Sequence, residues 1–412
     1  MPLALLALAM GAFGIGTTEF AVTGLLPEIA AEYDVSVSTA GFTATGYALG
    51  VLVGAPVTAI AGARVSRKRM LAWMMVLFVV GNVLTALAPG FAVVLVGRVV
   101  ASLAHGAFFG IGSVVAASLV APHRRATAIA LMFTGLTLAN VVGVPAATLL
   151  GQRAGWRLSF AAIALLGVVA LVGVLTLVPR GAGDAGAGAG SGGVRRELAA
   201  LRDRQVLLAM AMTVLGFGGV FAAITYVAPM MTEAAGYPEG AVTWLLMLFG
   251  LGLVVGNLVG GRFADRALMP LLLVSLAGLT IALALFTLTA HHQLAAPLTL
   301  VLIGLFGFAT VPPLQKRILD RAADAPTLAS AVNIGAFNLG NALAAWLGGL
   351  VLAAGAGPTW PSMVGAAMAV SALLLAALAT RWDRAERETG PAPAERRAPG
   401  DALSGAGTNG PR

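Results

Sequence analysis

Cysteine and charge are what this sequence has least of. There is no cysteine among its 412 residues and there are only four histidines, which excludes disulfides, thiolate metal ligands and cysteine nucleophiles. The histidines show no HExxH or other metal-ligand spacing, so we expect no metal site. Only 10% of the residues are charged, whereas soluble domains average about 25%. The composition therefore excludes an ordinary soluble globule.

Nucleotide-binding motifs are also missing. Neither lysine, Lys68 or Lys316, follows a glycine, so the sequence contains no Walker motif. A GxGxxG match occurs at 188–193, but it lies in a run of alanine, glycine and serine without a strand or helix pattern. We interpret this run as a flexible linker. We therefore expect no cofactor, no ATP-driven transport and no enzymatic activity.

Apolar residues dominate instead. They make up 59% of the chain, give a mean hydropathy of +0.93, and come in blocks of roughly 20 residues, the length of a helix that crosses ~30 Å of hydrocarbon. Alternating strand patterns are absent, which excludes a membrane β-barrel. The sequence predicts an all-α membrane protein with helices at 4–27, 40–62, 70–88, 92–117, 126–150, 156–178, 206–230, 241–261, 270–289, 296–315, 327–354 and 360–380.

Basic residues predict how these helices are oriented. Of the 25 lysines and arginines, 22 fall in the loops after helices 2, 4, 8 and 10, in the central linker or in the C-terminal tail. Cytoplasmic loops are enriched in such residues. We therefore expect a protein of the bacterial inner membrane with both termini on the cytoplasmic side. The net charge of +8 then reflects orientation, and the expected partner is the lipid bilayer rather than nucleic acid. We expect a monomer.

The two halves of the chain repeat each other. A shift of 202 residues aligns 14–27 with 216–229 without a gap, and the same shift aligns 48–54 with 250–256. Such a repeat is typical of transporters whose two bundles are related by an axis along the membrane normal. We predict an N-terminal six-helix bundle at 1–178, a cytoplasmic linker with a short amphipathic helix at 179–205, a C-terminal six-helix bundle at 206–382 and a disordered tail at 383–412.

Two charged residues, Glu19 and Arg98, lie well inside the predicted spans. A charge in the hydrocarbon is costly and marks a candidate functional site. Their depths, about 12 Å and about 10 Å at 1.5 Å per residue, allow contact if helices 1 and 4 are neighbours. We predict that both residues couple transport to protons; a static ion pair is the alternative. His105, two turns beyond Arg98, either extends the proton path or packs in the core.

The 202-residue shift places Phe221 and Leu300 opposite these two charges. The pair therefore belongs to the first half alone, although the helices that carry it are repeated. This asymmetry favours a functional role for the pair, but a purely structural pair could also be lost from one copy.

The loop after helix 2, AIAGARVSRKR, resembles the gating motif of the major facilitator superfamily, which has the form GxxxDRxGRK. Ala63 replaces the aspartate and Ser66 the second glycine. The basic residues of this loop also serve as an orientation signal. The positions that match the motif are Arg64, Arg67 and Lys68. The second copy, GRFADR, keeps Gly261, Asp265 and Arg266.

Other segments resemble the drug:proton antiporter branch of this superfamily. Arg98 followed by SLAHG is similar to its proton-coupling motif, and helix 5 resembles its antiporter motif through Gly143 and Pro145, which Val144 separates. GTTEF and GLLPEIA in helix 1 resemble bacterial exporters of the arabinose-efflux and chloramphenicol-resistance type. The resemblance implies two pseudo-symmetric bundles around a central cavity and alternating-access export of small, mainly apolar drugs in exchange for protons. A sugar or metabolite exporter or symporter, and a non-transporting receptor or channel, are the alternatives.

Polar and aromatic residues within the spans are candidates for the cavity wall. Interhelical hydrogen bonding is the alternative for the polar ones and packing or lipid contact for the aromatic ones. We expect Gly143 and Pro145 to bend helix 5, and the glycine pairs at 50/54 and 252/256 to allow close helix approach. The candidate cavity residues are Tyr47, Asn140, Phe217, Phe221, Tyr226, Asn333, Asn338 and Asn341.

Overall fold

The computed structural model describes residues 3–62, 65–184, 199, 201–238, 241–323 and 325–389. Within these ranges the regular structure is helical and contains no strand. Eleven helical stretches are long and apolar enough to cross a membrane, and one of them, Ala241–Thr289, holds two spans separated at Ala267 (φ −150°, ψ 76°). The predicted all-α membrane fold is therefore confirmed.

We number the spans in chain order. They are α1 (Leu3–Ala21), α2 (Phe42–Ala61), α3 (Arg67–Ala86), α4 (Phe91–Ser118), α5 (Pro122–Ala154), α6 (Trp156–Leu177), α7 (Arg204–Ile224), α8 and α9 (before and after Ala267 within Ala241–Thr289), α10 (Ala295–Arg321), α11 (Pro326–Ala353) and α12 (Trp360–Thr389). We refer to α1–α6 as the first lobe and to α7–α12 as the second lobe.

The first helix of each lobe is interrupted at the same point of the repeat. α1 gives way to a 3₁₀ turn, Val22–Leu25, and α7 ends at Ile224, two residues before a short helix begins. Pro27 and Pro229, which the 202-residue shift aligns, follow the two breaks. Pro27 lies in the first turn of the helix that follows its break, Leu26–Glu32, where the missing N–H leaves no helical hydrogen bond unmade. The internal repeat therefore extends from the sequence to the local structure.

The two lobes pack against each other mainly through three helix pairs: α5 with α8, α4 with α11 and α2 with α11. Glycines make these contacts close, because a Cβ at Gly110 would lie 2.7 Å from the Cα of Ala331, and one at Gly261 would overlap the Cβ of Ala130. We call the end of the bundle where α3 and α5 begin the basic face, and the other end the opposite face. The contacts at Gly261 lie towards the basic face.

The predicted bend in helix 5 takes the form of a widened turn. The five residues Ala139–Gly143 are π-helical, and Val144–Ala154 continues as α-helix. Pro145 has no N–H with which to continue the regular hydrogen-bond ladder, and π-helical turns are a common cause of helix kinks. Gly143 packs directly against Thr17 of α1, where a Cβ would overlap the threonine hydroxyl.

α12 continues to Thr389, past its predicted end at 380. Asp383 explains the extension, because its carboxylate accepts hydrogen bonds from Arg317 at 2.9 Å and from Arg321, both on α10. Residues 383–389, assigned to the tail from composition, are therefore helical. Most of the predicted amphipathic helix before α7 lies outside the described residues, as do most of the tail and Arg64.

Candidate functional site

A cavity of about 850 Å³ lies between the two lobes. It extends to Gly24, Gln152 and Thr243 near the opposite face, whereas the lobes are in contact near the basic face. Its wall is predominantly apolar. The aromatic part of the wall consists of Phe20, Phe109, Phe133, Phe217, Phe221, Phe249, Phe308 and Phe337.

Glu19 is the one carboxylate among the described residues of this wall. It lies near the end of α1, and its side chain is 16% exposed. Its Oε2 is 3.9 Å from Nδ1 of His105 on α4, and the same nitrogen lies 3.3 Å from the hydroxyl of Tyr47 on α2. Three helices of the first lobe therefore bring titratable groups together beside the cavity, including two of the three predicted proton-coupling residues.

Arg98, the third of these residues, is fully buried behind the wall. Its Nη1 donates to the main-chain oxygen of Thr18 at 2.7 Å, its Nη2 contacts the main-chain oxygen of Glu19 at 3.4 Å, and its Nε contacts that of Thr43 at 3.4 Å. The guanidinium also lies 4.4 Å from the ring centre of Tyr47. Arg98 therefore binds α1 through the main chain of Thr18 and Glu19 rather than through the Glu19 carboxylate.

The threonines that hold this arginine were not among the residues predicted from the sequence. Besides its main-chain contact, Thr18 offers its hydroxyl to Arg98 at 3.1 Å and donates it to Asn82 of α3 at 2.6 Å. The only signal in the sequence is the threonine pair that directly precedes Glu19. Such hydroxyls bond equally well to their own helix, so the sequence does not reveal this partner.

The second lobe contributes aromatic rings opposite Glu19. Phe217 packs against Phe308 and Phe337 with ring centres 5.3 and 5.0 Å apart, both edge to face. Phe221 lies 5.8 Å from Phe217. Both predicted phenylalanines line the cavity, and the additional rings from α10 and α11 show that the aromatic wall is larger than predicted.

Three asparagines place amide groups in the cavity wall: Asn140, Asn338 and Asn341. The amide nitrogens of the first two donate to main-chain oxygens of their own helices, each at 3.0 Å. The side-chain oxygen of Asn341 is buried and has no hydrogen-bond partner among the described residues. Buried polar atoms are nearly always paired, so this oxygen is an acceptor available to a donor group in the cavity.

Three residues predicted to line the cavity lie behind its wall instead: Tyr47, Tyr226 and Asn333. Tyr47 faces Arg98 and His105. The hydroxyl of Tyr226 donates to the main-chain oxygen of Ala345 at 2.6 Å, and the amide of Asn333 donates to Gln315 at 2.8 Å. These side chains are satisfied by neighbouring helices, as polar groups within membrane spans often are.

Arg67 connects the two lobes at the basic face. Its Nε donates to the hydroxyl of Thr327 at the start of α11, at 3.0 Å. Its main-chain N–H donates to Asp184 at 3.0 Å, and its Nη1 contacts Gly183 and lies 3.8 Å from the Asp184 carboxylate. Lys68 borders a separate surface groove and not this contact.

Asp265 makes a second contact between the lobes at the same face. Its carboxylate accepts the N–H groups of Ala126 and Thr127 at 2.7 and 2.9 Å, and the Thr127 hydroxyl at 2.7 Å. A carboxylate is favourable at a helix N-terminus, where it pairs with free N–H groups and the helix dipole. Gly261 packs against the same part of α5, whereas Arg266 is exposed and lies 6.0 Å from the ring of Phe263 within its own lobe.

The residues of the antiporter motif also have defined positions. Pro145 lines the cavity, and Gly143 packs on α1 at Thr17. The motif therefore lies where α5 meets both the cavity and the helix that carries Glu19.

Comparisons with known proteins agree on the family. The model of the Major Facilitator Superfamily matches residues 8–335 and 231–408. The inner membrane transport protein YdhP of Escherichia coli (strain K12) is 47% identical over 377 residues, which cover 92% of this chain and 96% of that protein. A chloramphenicol resistance protein of Streptomyces lividans is 36% identical over 366 residues, which cover 88% of this chain and 93% of that protein.

Among solved structures, the proton:xylose symporter XylE bound to 6-bromo-6-deoxy-D-glucose superposes with a TM-score of 0.74. The alignment covers 90% of this chain and 94% of that chain at 15% identity, so it establishes a shared fold. Together with the twelve described spans and the cavity between two lobes, these matches show that the chain belongs to the major facilitator superfamily and is a multi-pass membrane transporter.

Proposed function

We propose that this transporter exports small, largely apolar drugs in exchange for protons. The observation that carries the proposal is the position of Glu19. Among the described residues of the wall, Glu19 is the one carboxylate, in an aromatic cavity between two lobes and with His105 beside it. The Streptomyces lividans relative, a chloramphenicol resistance protein, supports a chloramphenicol-like substrate.

The direction in which the cavity opens follows from which of its two ends is closed by contact between the lobes. With the basic face in the cytoplasm, as the basic loops predict, the described arrangement is the outward-facing one, because the lobes touch at the basic face. In the inward-facing arrangement, drug enters while Glu19 is ionised. After reorientation, protonation of Glu19 from outside promotes release of the drug, and the protonated carrier returns to deliver its proton inside.

Arg98 influences the proton affinity of Glu19 without binding its carboxylate. The guanidinium is bound to main-chain oxygens of α1 and α2, so its positive charge stays behind the cavity wall while the carboxylate faces the cavity. A movement of α1 against α4 therefore changes the distance between the two charges. Such a change alters the affinity of Glu19 for a proton, which is what coupling to a conformational change requires.

One proton for each drug molecule supplies enough energy for useful export. A charge that crosses 100 mV yields about 2.3 kcal/mol, which corresponds to a gradient of roughly 50-fold for a neutral substrate. A pH gradient adds to this value.

The main alternative is a sugar or metabolite as substrate. A polar cargo needs many hydrogen-bonding groups in the wall, whereas eight phenylalanines and few polar side chains line this cavity. The amides of Asn140, Asn338 and Asn341 suit a substrate with two or three hydroxyl or N–H groups on an otherwise apolar body. Chloramphenicol has this character, and a free sugar does not.

The test is flux through the purified full chain in proteoliposomes with an imposed pH gradient. We expect chloramphenicol to move against its gradient, a protonophore to abolish this movement, and xylose or arabinose to show no gradient-driven flux. Sugar flux without drug flux would favour the alternative substrate.

Glu19→Gln tests the coupling residue in the same assay. We expect it to abolish proton-driven flux, because it removes the group that exchanges the proton. Glu233→Gln is the matched control, since Glu233 is an exposed carboxylate outside the cavity and its replacement should leave transport intact. Full proton-driven export by the Glu19→Gln chain would contradict the proposed role.

A further inference from the structure

A second concavity lies on the outer surface of the first lobe at the basic face. It lies between the start of α3 and the end of α6 and has a volume of about 620 Å³. We call it the α3–α6 groove. It is separate from the central cavity, and no residue lines both. The proposed transport cycle makes no use of it.

One end of the α3–α6 groove is cationic. Lys68 and Arg69 come from the first turn of α3, and Arg180 follows the end of α6. Among the described residues, none of the three has a carboxylate within ion-pair distance. Asp184, the nearest acid along the chain from Arg180, is bound to Arg67 instead. The groove therefore has three positive charges at one end that the described structure does not compensate.

The other end of the groove is apolar and faces outwards. Trp73 on α3 is 61% exposed and Leu175 on α6 is 51% exposed, and Leu171, which packs against the core, also lines the groove. Both helices are membrane spans, so apolar side chains exposed on their outer surface face lipid. The groove thus runs from the level of the lipid headgroups into the level of the acyl chains.

We propose that the α3–α6 groove binds an anionic phospholipid. The lipid phosphate is held by Lys68, Arg69 and Arg180, and an acyl chain lies along Trp73 and Leu175. Basic residues near a membrane surface attract anionic lipids, and charge-assisted hydrogen bonds to phosphate are strong. A small soluble anion matches only the cationic end, and a lipid without net charge gains little there, so the combination favours an anionic lipid.

The experiment uses Trp73 as a probe in the groove. The purified full chain is reconstituted in nanodiscs that contain increasing fractions of brominated phosphatidylglycerol or brominated phosphatidylcholine, since bromine quenches tryptophan fluorescence on contact. The signal of Trp73 is obtained by difference from Trp73→Phe, because the chain has six tryptophans. We expect half-maximal quenching at a fraction of phosphatidylglycerol about tenfold lower than for phosphatidylcholine.

The cationic end is tested by replacing Lys68, Arg69 and Arg180 together with glutamine. We expect this variant to lose the roughly tenfold preference for phosphatidylglycerol. The control removes the same charge from the same face through Arg202→Gln, Arg381→Gln and Arg384→Gln, which are exposed and outside the groove, and should keep the preference. Binding is measured without transport, so failure of this proposal is distinguishable from failure of the proposed function.

Three outcomes would overturn the proposal. The first is equal quenching by the two lipids, and the second is an equal loss of lipid preference in the control variant. The third is displacement of phosphatidylglycerol by inorganic phosphate at equal concentration, which would indicate a small-anion site. If the triple variant does not fold, native mass spectrometry of the unmodified chain with an equimolar mixture of the two lipids decides. Selective retention of phosphatidylglycerol supports the proposal, and retention without selectivity contradicts it.

Discussion

The two lobes close the basic face with different chemistry. In the second lobe, Asp265 binds the start of α5 directly through three hydrogen bonds. In the first lobe, alanine occupies the aspartate position of the motif, and Arg67 instead joins Asp184 to Thr327 of α11. In a duplicated scaffold, the two lobes can therefore pack together at one face while different parts of the chain supply the polar contacts there.

The residues in the middle of the membrane also differ between the two lobes. The first lobe carries a buried polar network around Arg98 with Glu19 at its edge, whereas the corresponding positions of the second lobe hold Phe221 and Leu300. The titratable groups of the wall, Glu19 and His105, therefore belong to the first lobe, whereas both lobes supply apolar side chains. Under the proposed function, proton exchange belongs to the first lobe and both lobes contact the substrate.

The largest effect is expected from Arg98→Gln. This change leaves the main-chain oxygens of Thr18 and Thr43 without their buried donor, and such groups are costly when unpaired. Each oxygen left unpaired costs about 1–3 kcal/mol, so we expect the free energy of unfolding in mixed micelles to fall by about 2–6 kcal/mol, measured by titration with dodecyl sulfate. The counterpart Leu300→Met should cost less than about 1.5 kcal/mol, because the volume is conserved. Equal losses in the two variants would contradict this difference between the lobes.

A smaller difference is expected for the aligned glycines of α2 and α8. A Cβ at Gly252 would overlap the main-chain oxygen of Val301, which is fixed in α10, whereas a Cβ at Gly50 would overlap the hydroxyl of Ser102, which can rotate. We expect Gly252→Ala to lower the free energy of unfolding by about 1–3 kcal/mol and Gly50→Ala to lower it by less. The same titration measures both, and a larger loss for Gly50→Ala would show that the serine cannot move.

Asp265→Ala should favour opening of the basic face. Loss of a helix cap costs about 0.5–2 kcal/mol, which shifts the ratio of closed to open molecules by roughly 2- to 30-fold. Spin labels at Arg124→Cys and Arg262→Cys report the distance across this contact, and the chain has no native cysteine to interfere. Asp320→Ala is the control, because Asp320 pairs with Lys316 within one helix. An unchanged distance distribution for Asp265→Ala would show that this contact does not hold the face closed.

The smallest effect is expected from Asp184→Ala. This carboxylate is 28% exposed and lies 3.8 Å from Arg67, and partly exposed ion pairs contribute about 0.2–1 kcal/mol. We expect a shift of about twofold, measured with spin labels at Ala61→Cys and Ala323→Cys, which are exposed beside this contact. A shift larger than that of Asp265→Ala would reverse the ranking of the two contacts.

Many of the residues that line the cavity could be predicted from residue type, but the contacts of individual side chains could not. Phe221 was predicted to line the cavity and Glu19 to couple transport to protons, and both side chains line the cavity. A carboxylate within a span is favourable only beside water or a polar partner, and the repeat aligns the two positions. Tyr226 and Asn333 do not line it, because each found a partner on a neighbouring helix. Asp184 could not be assigned a partner, since it lies in a linker whose composition carries no structural period.

The sequence alone determined the number of spans, the internal repeat and the uneven charge of the two faces. These features depend on the length of apolar blocks and on the position of basic residues, both of which are local. The tertiary structure decided which side chains meet, including the binding of Arg98 to main-chain oxygens and the capping of α5 by Asp265. The physical reason is that membrane spans are apolar on most sides, so the rotation of each helix is set by close packing at small residues and not by a hydrophobic stripe.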